Sequence, residues 1–162
     1  MNLIAAVDEN WGIGYKNNLL ISIPQDMKFF RESTKEHVVV MGRKTLESFP
    51  GGNPLKKRTN IVLTGNRDYQ KEGAIIVHDL QELKEELSKY NTDEVFVIGG
   101  GSIYKLLLPL CTKAYITKIE KSFSADTYFP NLDADLQWTV QEQSEHYEHE
   151  GVGFSFLTYK RV

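Results

Sequence analysis

Cysteine is nearly missing from this chain: Cys111 stands alone in 162 residues, so no internal disulfide can form and a reducing, cytoplasmic location is expected. Followed by Thr112, it reads as a small packed hydrophobe and not as a nucleophile. A cationic excess is missing as well. The 19 Lys and Arg are outnumbered by 22 Asp and Glu, and a net charge of −3 offers no field to attract nucleic acid. Long apolar runs are absent. The N-terminal run, LIAAV from Leu3, is too short for a signal-peptide core and has no basic leader; no window approaches the ~20 residues of a membrane span, so no membrane association is expected. Metal ligands are sparse too: His146 and His149 fall on opposite sides of an extended strand with no Cys or carboxylate trio around them, and no metal site is expected. What remains is an ordinary globular composition, 41% hydrophobic and 25% charged, at a length that suits one domain over residues 1–162 and a monomer.

Five short runs are β-branched and continuously apolar: LIAAV from Leu3, HVVVM from His37, NIVLT from Asn60, AIIVH from Ala74 and EVFVI from Glu94. Such runs predict strands buried on both faces of a parallel sheet. Helical patterns lie between them. Leu80, Leu83, Leu87 and Tyr90 share one face after Asp79 as N-cap, with Glu82 placed for a capping box. Ile103, Leu106, Leu107 and Leu110 form a second stripe after Ser102. The alternation predicts an α/β domain. Near the C-terminus, Phe154 and Phe156 alternate with Ser155 and Leu157, which predicts a hairpin finishing the sheet antiparallel. Two stretches, Asp8 to Ser22 and Phe49 to Lys57, carry Gly and Pro without a period and read as irregular loops of the length used for lids and binding walls.

The segment LLISIPQDMKFFRE from Leu19 puts a carboxylate where a helix normally puts a hydrocarbon. Pro24 suits the first helical position, and Ile23, Met27 and Phe30 then recur at helical spacing as a buried stripe. Asp26 falls near that stripe. First-turn acids are ordinary because they complement the helix dipole. A charge moved into an apolar site, however, must be partnered or take up a proton, which makes Asp26 a candidate for proton handling.

Two strand-to-helix junctions have the form of anion sites. Gly99, Gly100 and Gly101 follow EVFVI and lead into a helix near Ser102, delivering backbone N–H groups where a diphosphate could approach. Taken alone, such a run is also a plain tight turn. It is not the dehydrogenase fingerprint, whose third glycine is replaced by Tyr104. At the other junction Gly42 precedes Arg43, Lys44 and Thr45. Cations at a helix start oppose the dipole by roughly a few tenths of a kcal/mol, a mild cost that an anionic ligand over the turn would offset. Among Lys56, Lys57 and Arg58, the guanidinium is the better carboxylate ligand because it grips with two prongs.

In order and across essentially the whole chain, the landmarks IAA from Ile4, IPQDMKFF around Asp26, VVMGRKTLES from Val39, NPLKKRTNIVLT from Asn53, VFVIGGGSIY from Val95, YITKI from Tyr115 and ADTYFP from Ala125 resemble the dihydrofolate reductase family. The resemblance implies an eight-stranded, mainly parallel sheet with an antiparallel C-terminal strand and helices on both faces. It also implies reduction of 7,8-dihydrofolate to tetrahydrofolate with NADPH as hydride donor, and sensitivity to antifolate inhibitors. Asp26 would bind the 2-amino and N3 positions of the pterin and promote protonation at N5, with Thr117 hydrogen-bonding nearby. Ala6, Met27, Phe30, Phe49 and Leu55 would line the substrate site, and Arg58 would hold the glutamate α-carboxylate. Ala6, Ile13 and Gly14 would meet the nicotinamide under a mobile loop. Arg43, Lys44, Thr45 and Thr64 would take phosphates, beside Gly42 and Leu63. Ile98, Gly99, Gly100, Gly101, Ser102, Ile103 and Tyr104 would follow the diphosphate and nicotinamide ribose, with a cis peptide joining the first two glycines.

Three positions depart from the family pattern: Leu19, Leu20 and Ile21 replace its usual Leu-Pro-Trp, Ala125 stands at a common glycine, and Gly65 stands where a hydroxyl or imidazole is common near the adenosine 2′-phosphate, with Asn66 and Arg67 at hand. The alternatives are a reductase of the same fold acting on another nitrogen heterocycle, or a non-catalytic nucleotide-binding module.

Overall fold

Alternate residues of the apolar runs face opposite sides of one sheet, and both sides are covered. The computed structural model describes residues 1–162. In chain order it contains β1 (Asn2–Val7), β2 (Gly12–Tyr15), β3 (Asn18–Leu19), α1 (Pro24–Thr34), β4 (Val38–Gly42) and α2 (Arg43–Glu47). There follow β5 (Thr59–Leu63), β6 (Ala74–Val77), α3 (Leu80–Leu87), β7 (Val95–Gly99) and α4 (Gly101–Leu107). The last elements are β8 (Lys113–Ile119), β9 (Thr127–Tyr128), β10 (Trp138–Gln143), β11 (Tyr147–His149) and β12 (Val152–Arg161).

The main sheet has the order β10-β12-β8-β1-β7-β4-β5-β6, with short β11 added on β12. Only β12 runs against the other strands, as the C-terminal alternation predicted. Val38 and Val40 join the core on the side of Leu83, Tyr104 and Leu107, whereas Val39 and Met41 pack on the other side with Leu46. Leu3, Val7, Val39, Val40 and Met41 are fully buried, each worth roughly 1.5–3 kcal/mol of apolar transfer. Helices therefore cover both faces. Because the chain steps outward from β1 to β4 and later returns to flank β1 with β7 and β8, the carboxyl ends of these strands form the crevice where open α/β sheets bind ligands.

Four local expectations are corrected. Asp8 to Ser22 is not irregular: β2 and β3 form a hairpin that also pairs with β9. Its turn residues Lys16 and Asn17 both have positive φ, 50° and 63°, the geometry of a tight two-residue turn, without the Asn-Gly signature that usually announces one. In α4 the inward residues are Tyr104 and Leu107; Leu106 and Leu110 are exposed, because Pro109 diverts the chain into a short 3-10 turn before a longer stripe can form. Asp79 caps the Glu82 N–H at 2.8 Å as predicted, but the Glu82 carboxylate accepts from the His78 N–H instead of closing the reciprocal box. Finally, Met27 is 50% exposed and Phe30 only half-buried, so the stripe on α1 is not a core face. Ile23 anchors the helix, Phe29 stacks on Phe156 with ring centroids 4.8 Å apart, and Met27 and Phe30 front open space. Cys111 is buried as expected, its S–H donating to the Leu107 carbonyl, and burial pushes the thiol up to about 12.

Candidate active site

Ile23 and Pro24 decide where the acid sits. Ile23 is buried against Ile119 and Phe154, and Pro24 opens α1 without needing the N–H it lacks. The first turn then lies across β8, and the Thr117 hydroxyl donates to Asp26 Oδ1 at 2.6 Å. Thr117 is buried and directly opposite Ala6 in the β1–β8 ladder, so the two strands present acid, hydroxyl and a small side chain together. Burial raises the Asp26 carboxyl above its ordinary value of 3.8, and the Thr117 hydrogen bond draws it partly back. Fully buried Tyr104 donates to the Ile4 carbonyl at 2.6 Å, and its phenol is pushed far up by burial and then by the charge of Asp26. Thr117→Val removes the bond that favours the ionised acid, so the pH dependence of activity is expected to move to higher pH; rate-pH profiles of the two proteins check this.

The substrate-side residues form two walls. Ala6 and Ile21 pack against the Ile23–Ile119–Phe154 cluster, while Phe49 and Leu55 pack with Ile98 against Val39, Met41, Leu46 and Val62. Ile98 thus belongs to the same wall as Phe49 and Leu55. Asn60, buried and absent from the sequence-based site, holds Leu55 through its backbone: Leu55 N–H donates to Asn60 Oδ1 at 3.0 Å and Asn60 Nδ2 donates back to the Leu55 carbonyl at 2.9 Å. Its polarity in an apolar run was the available signal. Arg58 is held firmly. Its Nε donates to Thr34 Oγ1 at 2.9 Å, Nη1 donates to the Lys56 carbonyl at 3.2 Å, and the guanidinium lies 5.9 Å from the Phe30 ring centre.

The two glycine junctions open onto one cavity of about 440 Å³. Gly42, Arg43, Lys44 and Thr45 line it from one turn, Gly100, Gly101, Ser102 and Ile103 from the other, and Leu63 and Thr64 from the end of β5. Neither α2 nor α4 carries a side-chain cap, so their first backbone N–H groups are open to an acceptor. The Gly99–Gly100 peptide is cis, as the family pattern implied. Gly99 has φ +130°, and a Cβ on Gly101 would stand 2.7 Å from Thr127 Cγ2, so both turns depend on missing side chains. Arg43 is ion-paired with Glu47 at 2.5 Å, a partner that the sequence argument for a free cation had not considered. Asn17 and Thr127 also line the cavity and were missed, because only the β2–β9 pairing carries the hairpin there.

Ile13, Gly14, Ala6, Ile98, Gly99 and Tyr104 are not among the lining residues of that cavity. Ile13 packs against the main core, and Gly14 pairs with Leu19 and Thr127. The hairpin is tied at both ends by carboxylates. Buried Asp8 accepts from the Asn10, Gly12 and Phe123 N–H groups at 2.9, 2.8 and 3.0 Å, and Asp126 accepts from the Lys16 N–H at 2.9 Å. Neither had been singled out. Of the three departures, Ile21 is half-buried on the Ile23 cluster, Ala125 would be 2.8 Å from a Cβ on Gly12, and Gly65 has open space where its side chain would be. Arg67, near Gly65, pairs loosely with Asp79 at 3.7 Å.

No group of three or more His, Cys, Asp or Glu is placed to hold a metal ion, and no helix is long and apolar enough to cross a membrane. His146 instead faces Glu120 at 3.0 Å. A family model described as dihydrofolate reductase matches residues 1–161. The dihydrofolate reductase of Bacillus subtilis (strain 168) is 36% identical over 163 residues, covering 99% of this chain and 94% of that protein. That of Staphylococcus haemolyticus is 36% identical over 168 residues, covering 100% and 96%. Among solved structures, dihydrofolate reductase from Enterococcus faecalis complexed with NADP(H) and RAB-propyl superposes with a TM-score of 0.88 at 37% identity, covering 99% of this chain and 95% of that one.

Proposed function

The chain belongs to the dihydrofolate reductase family, and from that premise we propose how its own residues carry out the reduction. The protein reduces 7,8-dihydrofolate to tetrahydrofolate with NADPH, supplying one-carbon metabolism. The alternatives, another heterocycle or a non-catalytic nucleotide module, are not favoured.

The observation that carries the residue assignment is the half-buried Asp26 with a single hydroxyl partner at 2.6 Å, facing open space beside Ala6. Oδ1 accepts from Thr117, leaving the second oxygen for the 2-amino and N3 donors of a pterin. A carboxyl held above its usual range keeps a proton available nearer neutral pH, which is what protonation at N5 requires. Met27, Phe30, Phe49 and Leu55 offer the apolar walls, and Arg58 offers the remaining guanidinium donors to the glutamate α-carboxylate. The cavity at the two turns fits a dinucleotide: hydroxyls of Thr45, Thr64 and Ser102, open helix N–H groups and the cations Arg43 and Lys44 are the donor set a diphosphate and a 2′-phosphate need. NADPH supplies the hydride at C6 when bound there. The Gly12–Leu19 hairpin, tied by Asp8 and Asp126, would cover the reacting edge and exclude water. Acid, cavity and Arg58 all come from one chain, so a monomer in the cytoplasm suffices.

The test is the loss of NADPH absorbance when dihydrofolate is added to purified protein. Turnover that a diaminopyrimidine antifolate blocks competitively supports the reading, and bound NADPH with no turnover overturns it. Arg43→Leu is expected to raise the NADPH dissociation constant about ten-fold, from the loss of a charge-assisted contact, while changing NADH binding little. Fluorescence titration with both cofactors checks this.

A further inference from the structure

Next to Arg58, on the side away from Asp26's strand, the surface holds a shallow cavity of about 380 Å³ lined by Arg31, Glu32, Lys35, Lys56, Lys57 and Arg58. The two basic segments are locked together by the backbone. Arg58 Nε reaches the buried Thr34 hydroxyl at 2.9 Å, and the Glu36 N–H donates to the Lys57 carbonyl at 2.8 Å, joining the end of α1 to the Lys56–Arg58 segment. Helix geometry accounts for only part of the charge. Arg31 and Lys35 sit at the C-terminal end of α1, where cations complement the dipole. Lys56 and Lys57 lie on another segment and have no such partner. Glu32, the single acid in the lining, is shared with Lys28 at 3.9 Å, outside the cavity. None of the four cations other than Arg58 is ion-paired to it or to another acid within 4.0 Å. Arg31 is close enough to Arg58 for its charge to depress that guanidinium further, so the cluster repels itself within the chain.

We propose that this groove binds the further carboxylates of a dihydrofolate whose glutamate is extended by additional γ-linked glutamates, with Arg31, Lys35, Lys56 and Lys57 as its ligands. The inference rests on Arg58 holding the first α-carboxylate. From that anchor the γ-carboxyl leads out of the cleft, and each added residue brings one more carboxylate along a flexible anionic strand. Four long cations around a shallow, water-filled groove suit such a strand: they demand no fixed geometry and reward every added charge.

The experiment compares initial-rate KM values for 7,8-dihydrofolate bearing one glutamate and bearing three γ-linked glutamates, at low and high salt. Wild type is set beside the double variants Lys56→Gln/Lys57→Gln and Arg31→Gln/Lys35→Gln. Two exposed ion pairs predict a KM about five-fold lower for the longer tail at low salt. That advantage is expected to fade above ~0.5 M salt, where screening shortens to a few ångströms, and to shrink in each double variant, while KM for the single-glutamate substrate and kcat hold. Equal KM values for the two tails in wild type would overturn the proposal, as would an advantage that survives both charge neutralisations. Tight competition by γ-triglutamate lacking a pterin would also overturn it and reassign the groove to an acidic partner chain. Turnover of the single-glutamate substrate is the separate control on the reductase reading.

Discussion

Asp26→Asn lowers turnover at pH 7 by about 10²- to 10³-fold, the range of a lost general acid, with NADPH affinity unchanged. The amide still accepts from Thr117, so the hydroxyl partner at 2.6 Å is kept and the variant loses only a titratable proton. The pH dependence has a definite sign. Chemistry that uses the protonated carboxyl weakens as pH rises through its raised value, and the Asn variant loses that limb of the profile. Stability moves the other way. The unfolded chain ionises Asp26 near 3.8, while burial delays ionisation in the folded state. Between those two values folding takes up a proton, so stability declines as pH rises through the window. Asp26→Asn is therefore expected to melt higher than wild type at pH 7 and alike below pH 3.8. Rate-pH profiles and thermal melts at the two pH values check both halves. A catalytic acid that destabilises its own fold is the usual signature of a site selected for chemistry.

Arg58→Leu raises KM for dihydrofolate by about 10- to 100-fold, the worth of a charge-assisted bond, with kcat and NADPH affinity nearly unchanged. The effect lies in KM because the glutamate end is remote from the reacting atoms and is held equally in ground and transition states. Lys at this position is not expected to restore it. The guanidinium uses Nε on Thr34 and one hydrogen of Nη1 on the Lys56 carbonyl, and still offers donors outward; an ammonium cannot do both. Thr34 keeps its own bond to the Phe30 carbonyl at 2.8 Å, so loss of the Arg58 contact costs only about 1 kcal/mol of stability. Steady-state kinetics with Leu and Lys variants, together with a melt, separates binding from folding.

Elements that bury both faces were the easiest to read. The five apolar runs all became strands with bounds within a residue or two of those expected, because a continuous β-branched run has no solvent face to offer. The Gly42 and Gly99–Gly101 junctions were legible for a related reason: small residues between a strand and a helix leave backbone donors bare, and most of the cavity lining follows from those two turns. Reading failed where pairing or packing at long range sets the outcome. The β2–β3 hairpin was hidden because Lys16 and Asn17 take positive φ only under the pull of β9 and the two carboxylate ties. Met27 and Phe30 follow the helical period faithfully yet front the cleft, since periodicity marks a shared face without saying what that face meets.

Composition, apolar runs, two glycine turns and the order of landmarks were enough to establish an α/β chain of the dihydrofolate reductase family and to single out Asp26 and Arg58. Folding settled the matters of neighbourhood. Asp26 and Thr117 are 91 residues apart in sequence and 2.6 Å apart in space, and Asn17, Thr127, Asp8, Asp126 and Asn60 acquire their positions only through strand register and loop contacts. The division has a physical cause: a residue's hydrophobicity and backbone freedom are local properties written into its type, whereas hydrogen-bond partners, burial and the resulting shift in acidity belong to pairs that exist only once the sheet has brought them together.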